Sequence, residues 1–148
     1  MSRKKIIVLV ITVVIIAAAL YAWREYNREV KDLDSVKADV AANAVTLIGE
    51  FLQDEASATK KYQDKIMAVT GMVKQVITIE NTFTVVMGDT SDMNSVRCLI
   101  DSTHTDGVAA LQRGTQVTVK GAVTGFKKDE TGLLGSDVEL NRAVVQQQ

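Results

Sequence analysis

Two stretches of the chain share one pattern, and this pattern restricts the fold more than any other feature. Lys65–Val76 (KIMAVTGMVKQV) and Thr115–Val123 (TQVTVKGAV) align on a glycine, so that VTGMV at 69–73 matches VKGAV at 119–123. Residues two apart alternate between apolar and polar or small, which is the period of a strand with one buried face. Each stretch places its glycine on the buried side, where it permits a bend or a bulge. Two long bent strands of this kind predict a small closed barrel.

The N-terminal part of the chain predicts a membrane segment. Residues 1–5 form a basic tail, residues 6–23 an apolar run broken only by a threonine, and residues 24–34 a charged linker. An apolar run of this length predicts a transmembrane helix, a signal anchor, with the bilayer as a partner. A cleaved signal peptide is the alternative, because the three alanines at residues 17–19 could form a cleavage site. The basic tail favours an N-terminus inside the cell and a barrel on the periplasmic or extracytoplasmic side.

Charge and residue usage disfavour several functions. The basic tail holds three of the 17 Lys and Arg residues and none of the 18 acids, so the rest of the chain has a net charge of −4. Such a domain has no general attraction for phosphate backbones. Cys98 and His104 are the only residues of their kinds, which leaves no disulfide and no zinc site without carboxylates. We expect no metal, no cofactor and no catalytic residues.

The remainder of the chain predicts one helix followed by five strands. An apolar stripe at three- and four-residue spacing predicts an amphipathic helix within residues 35–62, started by Asp34 or Ser35 and packed on the barrel. Residues 63–146 predict strand, strand, strand, helical turn, strand, strand, with a bulge in the last strand at Asn141–Arg142. That order is typical of the OB-fold, a five-stranded Greek-key barrel whose first and fourth strands pair and close it. The two glycine-containing strands would then face each other and bend at one corner, and the fold class is α+β or all-β. A small sandwich and an SH3-like barrel are the alternatives.

The segment from Ala41 to Val145 also resembles a known family, the bacterial tRNA-anti-like OB-fold proteins. The matching residues are ATKKY at 58–62, Lys65, VTGMV at 69–73, VRC at 96–98, GTQVTVKG at 114–121 and DVEL at 137–140. The resemblance implies an envelope-associated protein with an OB-fold domain. In this family a signal or anchor segment commonly precedes that domain in the chain. It supplies no catalytic or binding residues, since a shared fold is only an analogy for function.

These observations predict a membrane-anchored, non-enzymatic binding module of the cell envelope. We expect its ligand to be a protein, a peptide or a small molecule. The predicted binding face consists of Thr82, Thr84, Arg97, Leu99 and Lys120 with Phe126, Lys127 and Lys128 of the following loop. Binding of single-stranded nucleic acid is the alternative, but the chain offers few aromatic residues for base stacking, and we therefore expect nucleic acid to be a poor ligand.

Overall fold

The structure, a computed structural model, describes residues 3–26 and 33–146, with the side chains of residues 11–23 and 33–146. The chain divides into two compact units, Met1–Lys31 and Asp32–Gln148. Most of the predicted charged linker, including residues 27–32, lies outside the described residues.

In the described part of the first unit, helix α1 runs from Arg3 to Tyr26. Helix α1 includes the predicted membrane segment, residues 6–23. The side chains of residues 6–10 lie outside the described part of the chain. A search of the described residues finds no helix that combines the length and the apolar character required to cross a membrane.

The second unit is mostly β and has an OB-like fold. Among its described residues, 33–146, six strands form one sheet: β1 Val40–Asn43, β2 Ile66–Ile79, β3 Thr82–Met87, β4 Ser95–Ile100, β5 Gln116–Lys127 and β6 Asp137–Gln146. A 3-10 turn at Val108–Ala110 lies between β4 and β5, as the sequence predicts. The predicted count of five strands is wrong, because β1 adds a sixth.

Strand β2 connects the sheet, because three other strands pair with it. Its first half pairs with β1 in parallel and with β5 in antiparallel orientation, and its second half pairs with β3. The pairings continue from β3 to β4, β6 and β5, which returns to β2. The predicted pairing of the two long strands is thus confirmed. With β1 attached to β2, the sheet is not the clean five-stranded barrel that the pattern predicted.

Two helices replace the single helix predicted for residues 35–62. Helix α2 spans Ala44–Gln53 and helix α3 spans Glu55–Tyr62. The Asn43 side chain caps α2 by accepting a hydrogen bond from the Val45 N–H at 2.9 Å. Asp54 ends α2 and caps α3 by accepting from the Ser57 N–H at 3.0 Å. The predicted start at Asp34 or Ser35 is therefore wrong, since a side-chain acceptor nearer the helices satisfies their first free N–H groups.

The predicted apolar stripe does form the helical part of the core. Its buried members in α2 are Ala44, Leu47, Ile48 and Phe51. They pack with the inward residues of the sheet, including Val96, Cys98 and Ile100 of β4. Burying a large aliphatic or aromatic side chain contributes about 1.5–3 kcal/mol to the stability of the fold. Helix α2 therefore stabilises the core with which its apolar side packs.

The predicted bulge in β6 is confirmed. Cys98 of β4 lies opposite Leu140, whereas Ile100, two residues on, lies opposite Ala143, so β6 has one residue more than β4 between these pairs. Arg142 has a left-handed φ of 53°. The extra residue keeps Leu140 and Ala143 both buried, which strict alternation could not do.

Candidate functional site

The predicted binding face lies on the outer side of β3 and β4. Thr84 stands directly opposite Leu99 across this antiparallel pair, and Ile77 of β2 stands opposite Thr84 on its other side. Because directly opposed residues project to the same side of a sheet, these side chains share one face. Thr82 continues it and pairs with Ile79, whose side chain is 68% exposed. We call this surface the β3–β4 face.

Acidic residues of β6 compensate the cations of this face. Arg97 Nε donates to Asp137 Oδ2 at 2.6 Å, and Lys127 Nζ lies 2.5 Å from Glu139 Oε1. The register brings this about, since Arg97 lies opposite Glu139 on one side of β6 and Lys127 opposite Asp137 on the other. Partly exposed pairs of this kind contribute only about 0–1 kcal/mol to stability. Their main effect is that neither cation faces the solvent alone.

The aromatic residue of the predicted site, Phe126, is half-buried and packed against the core. The ring of Phe126 stacks on Phe51 with centroids 5.1 Å apart and planes 27° from parallel, and Phe51 also contacts Tyr62 at 6.1 Å. Phe83 is also packed against the core. The Phe126 ring is therefore held in place by its contact with α2. Of the three predicted loop residues, only Lys128 is exposed and forms no ion pair with another described residue.

Lys120 is a correction to the predicted face. Its side chain is only 5% exposed, and its Nζ donates to the backbone oxygen of Asp34 at 2.8 Å. It pairs with Ala68 on β2 and with Val144 on β6, away from β3 and β4. Lys120 thus ties the segment that precedes β1 to the sheet and does not join the predicted face.

Sequence reasoning missed Lys74, which organises the loop between β3 and β4. Its Nζ donates to the backbone oxygens of Asp92 at 2.5 Å and Asn94 at 3.1 Å, and to Ser95 Oγ at 3.0 Å. Burial lowers the pKa of Lys74, and the nearby Asp92 carboxylate opposes that shift. The register of β2 shifts between Val73 and Gln75, so the broken alternation around residue 74 was the available signal.

The chain's only cysteine and only histidine do not meet. Cys98 is fully buried, and burial raises the pKa of its thiol to about 12. His104 lies in the loop after β4, where its Nδ1 is 2.8 Å from Thr103 Oγ1, beside an open cavity of about 520 Å³. In the part of the chain that the structure describes, no group of three His, Cys, Asp or Glu residues is placed to hold a metal ion.

The strand order, the closing pair β2–β5 and the helix packed beneath define an OB-like domain. More particularly, the chain belongs to the tRNA_anti-like family, whose sequence model matches residues 1–136. The resemblance stated from the short motifs is therefore confirmed. No curated protein matches the chain.

Several solved structures are similar to this chain. A proposed nucleic acid-binding lipoprotein from Klebsiella pneumoniae is 19% identical, with a TM-score of 0.53 over 72% of this chain and 92% of that one. Asparaginyl-tRNA synthetase from Pyrococcus horikoshii is 21% identical, with a TM-score of 0.40 over 59% of this chain and 21% of the synthetase. An OBody bound to hen egg-white lysozyme is 16% identical, with a TM-score of 0.41 over 60% of this chain and 87% of the OBody.

Proposed function

We propose that the protein is a non-enzymatic binding module whose β3–β4 face receives a protein or peptide ligand. The observation that carries the proposal is the composition of this face. It combines exposed aliphatic residues, Leu99 at 39% and Ile79 at 68%, with cations that already pair with carboxylates. Exposed aliphatic side chains beside polar and ion-paired residues match the apolar centre and polar rim of protein interfaces.

The same composition disfavours single-stranded nucleic acid. Stacking on an aromatic platform contributes about 1–3 kcal/mol per base. Phe83 of β3 and Phe126 of β5 are the aromatic residues that lie closest along the chain to the residues of this face. Both side chains are packed against the core. Residues 33–148 carry 15 acidic and 11 basic side chains, a net charge of −4. Long-range attraction for a polyanion is therefore absent, and local attraction is reduced by the ion pairs of Arg97 and Lys127.

Single-stranded nucleic acid is the second candidate ligand, and the comparisons favour it. The Klebsiella pneumoniae relative in fold is described as a proposed nucleic acid-binding lipoprotein. OB-folds bind oligonucleotides through the face that corresponds to β3 and β4 and through the loops beside it. Arg97 and Lys128 would then contact phosphates, which requires Arg97 to leave Asp137.

A photo-crosslinking amino acid at position 99 tests the first candidate. We expect the full-length protein, irradiated in intact cells, to yield a discrete crosslinked protein from position 99. The matched control is the same amino acid at Lys60, an exposed position of α3, which should yield none. Loss of the crosslink in an Ile79→Asp variant would confirm that the β3–β4 face makes the contact. Equal crosslinks from positions 60 and 99 would contradict the proposal.

Binding of a labelled single-stranded oligonucleotide tests the second candidate. Affinity should be measured at about 50 mM and about 200 mM salt, because each phosphate contact steepens the salt dependence. We expect no binding in the micromolar range. Micromolar, salt-sensitive binding that weakens in an Arg97→Ala variant would establish nucleic acid as the ligand instead.

We also propose an envelope location, with residues 6–23 as the tether and the second unit outside the cytoplasm. The support is the apolar run itself and the exposure of every described side chain of α1, residues 11–23. The described residues contain no helix that meets the requirements for crossing a membrane, so the experiment decides. Alkaline extraction of membranes and a reporter at the C-terminus should place the chain in the membrane fraction and the reporter outside. A soluble chain would overturn this location.

A further inference from the structure

The loop between β5 and β6 presents an apolar surface to solvent. Leu133 is 72% exposed and Leu134 is 85% exposed, and Met93 of the loop between β3 and β4 is 60% exposed. We call these three residues the loop crest. Single exposed apolar residues are ordinary, but adjacent leucines at a loop tip beside a third apolar side chain are typical of an interaction site.

The β5–β6 loop is built to hold this conformation. Asp129 accepts four hydrogen bonds from its own loop: Oδ1 accepts from the N–H and hydroxyl of Thr131 at 2.9 and 2.6 Å, and Oδ2 from the N–H groups of Leu134 and Gly135 at 2.7 and 3.0 Å. Gly132 and Gly135 have φ values of 68° and 80°, which favour glycine. The leucines are thus presented by an ordered turn, so binding would require little further ordering.

The two loops that carry the crest are fastened together. The Ser136 N–H donates to Asn94 Oδ1 at 2.8 Å, and the Ser95 N–H donates to the Ser136 oxygen at 3.0 Å. Gly135 approaches Met93 so closely that a Cβ atom there would overlap the Met93 backbone oxygen. Lys74 supports the β3–β4 loop from beneath through its bonds to Asp92, Asn94 and Ser95.

The surroundings of the crest are acidic. The two loops, residues 88–94 and 128–136, contain four carboxylates, Asp89, Asp92, Asp129 and Glu130, against one lysine, Lys128. None of the four carboxylates forms an ion pair with another described residue. Two cations from outside these loops also contact the β3–β4 loop. The half-buried Lys74 donates to its backbone oxygens and lies within electrostatic reach of Asp89 and Asp92, and Arg113 donates to the Thr90 oxygen at 3.4 Å.

We propose that the loop crest docks a cationic amphipathic segment of a partner protein, one that places aliphatic side chains between lysines or arginines. The aliphatic side chains would cover Leu133, Leu134 and Met93, and the cations would face the four carboxylates. An anionic membrane surface would repel this rim. A second copy of the crest would bring like charges together. The proposal concerns a different surface from the β3–β4 face and does not depend on it.

The experiment uses the full-length protein and two labelled synthetic peptides, one of alternating leucine and lysine and one of alternating leucine and glutamate. We expect the leucine–lysine peptide to bind, and the Leu133→Ser/Leu134→Ser variant to bind it about tenfold or more weakly, a loss of about 1.4 kcal/mol. The control is Val45→Ser, which removes an exposed aliphatic side chain of α2, outside both proposed surfaces, and should leave the affinity unchanged.

Two further variants separate the charge of the rim from the order of the loop. Asp92→Asn removes one carboxylate outside the β5–β6 loop and leaves an amide oxygen that can keep the two hydrogen bonds from Asn94. Asp129→Asn removes one carboxylate together with the oxygen that accepts from Leu134 and Gly135. We expect Asp129→Asn to weaken peptide binding more than Asp92→Asn does, although both retain the leucines. Thermal unfolding of each variant identifies any that fails to fold.

Three results would overturn the proposal. The first is equal affinity for the lysine and glutamate peptides, and the second is unchanged affinity in the double serine variant. The third is capture of the protein by zwitterionic or anionic lipid vesicles in a way that Leu133→Ser/Leu134→Ser abolishes, because that would make the crest a lipid-contacting surface. None of these results bears on crosslinking from position 99, so this proposal and the proposed function fail separately.

Discussion

Val69 and Val119 lie directly opposite each other in the antiparallel pair β2–β5, and neither side chain is exposed. Around this pair the register is symmetric, with Gly71 opposite Val117 and Gly121 opposite Met67. The glycines therefore do not meet at one corner, as facing kinks would. Each lies opposite a larger residue, and the space above each glycine is filled from another element.

The first prediction concerns Gly71. A Cβ atom at Gly71 would lie 2.7 Å from the Ala44 Cβ at the start of α2, closer than two such atoms approach. We expect Gly71→Ala to lower the free energy of unfolding by about 1–3 kcal/mol, because a packed core resists added volume. Urea unfolding, followed by circular dichroism, measures it.

Gly49 provides the matched control for that substitution. It lies within α2, and a Cβ atom there would meet nothing within 4 Å. Gly49→Ala should raise the free energy of unfolding by about 0.5–1 kcal/mol, since alanine restricts the unfolded chain and favours a helix. Equal stability of Gly71→Ala and the wild type would mean that α2 packs less closely on β2 than the structure shows.

The second prediction concerns the aromatic cluster under the sheet. Phe51 is 2% exposed and contacts the rings of Phe126 and Tyr62. Phe51→Ala should lower the free energy of unfolding by about 3–5 kcal/mol, because it leaves a cavity as well as losing buried area. Leu52→Ala at the neighbouring, 43% exposed position should change it far less. A small effect of Phe51→Ala would show that α2 is not part of the core.

The strands could be predicted because the alternation of apolar and polar residues that identifies a strand is a local feature of the sequence. Alternation along β4 places Val96, Cys98 and Ile100 inward, and the broken alternation at Asn141–Arg142 marks the bulge in β6. The shared pattern of the two long strands predicts that they pair, but it does not give the register. The offset of the glycines depends on atoms of α2 and β6 that no local pattern specifies.

Strand β1 was not predictable because its local pattern agrees with a helix. Val36, Val40 and Ala44 are spaced by four residues, as on one helical face. Val40 nevertheless pairs with Met67 in parallel orientation, so pairing with an already formed strand overrides the helical spacing. Lys120 was misplaced for a related reason. Alternation correctly predicts that the Lys120 side chain lies on the opposite side of the sheet from Val119. It does not predict that the segment around Asp34 covers this side of the sheet at Lys120.

The third prediction concerns the thiol of Cys98. The side chain is fully buried 3.8 Å from Met87 Sδ, and burial raises the pKa of the thiol to about 12. Because the thiolate is the reactive form, native protein at about pH 8 should not react with an aromatic disulfide reagent. The unfolded protein should release one equivalent of chromophore, since the chain has one cysteine. Rapid reaction of the native protein would contradict the closed core around β4.

The fourth prediction concerns the pH dependence that Asp129 adds to stability. Its pKa is lowered in the folded protein, chiefly by the Thr131 hydroxyl and then by the Leu134 N–H. A carboxyl whose pKa is lower in the folded state stabilises the fold above its unfolded value of about 3.9. That contribution is lost as the pH falls through the folded pKa. We therefore expect Asp129→Asn to be less stable than the wild type at pH 6, with the difference between the two stabilities becoming smaller as the pH falls below about 3.9.

Thr131→Val separates the hydroxyl from the rest of this hydrogen-bonded turn. It removes the 2.6 Å bond to Asp129 Oδ1 but keeps the backbone donors of Leu134 and Gly135. Its stability should fall less steeply with decreasing pH than that of the wild type and more steeply than that of Asp129→Asn, because part of the preference for the carboxylate remains. Urea unfolding at several pH values between about 2 and 6 measures all three slopes. Parallel curves for the three proteins would mean that Asp129 is not held by its loop in solution, and the ordered presentation of Leu133 and Leu134 would then lose its physical basis.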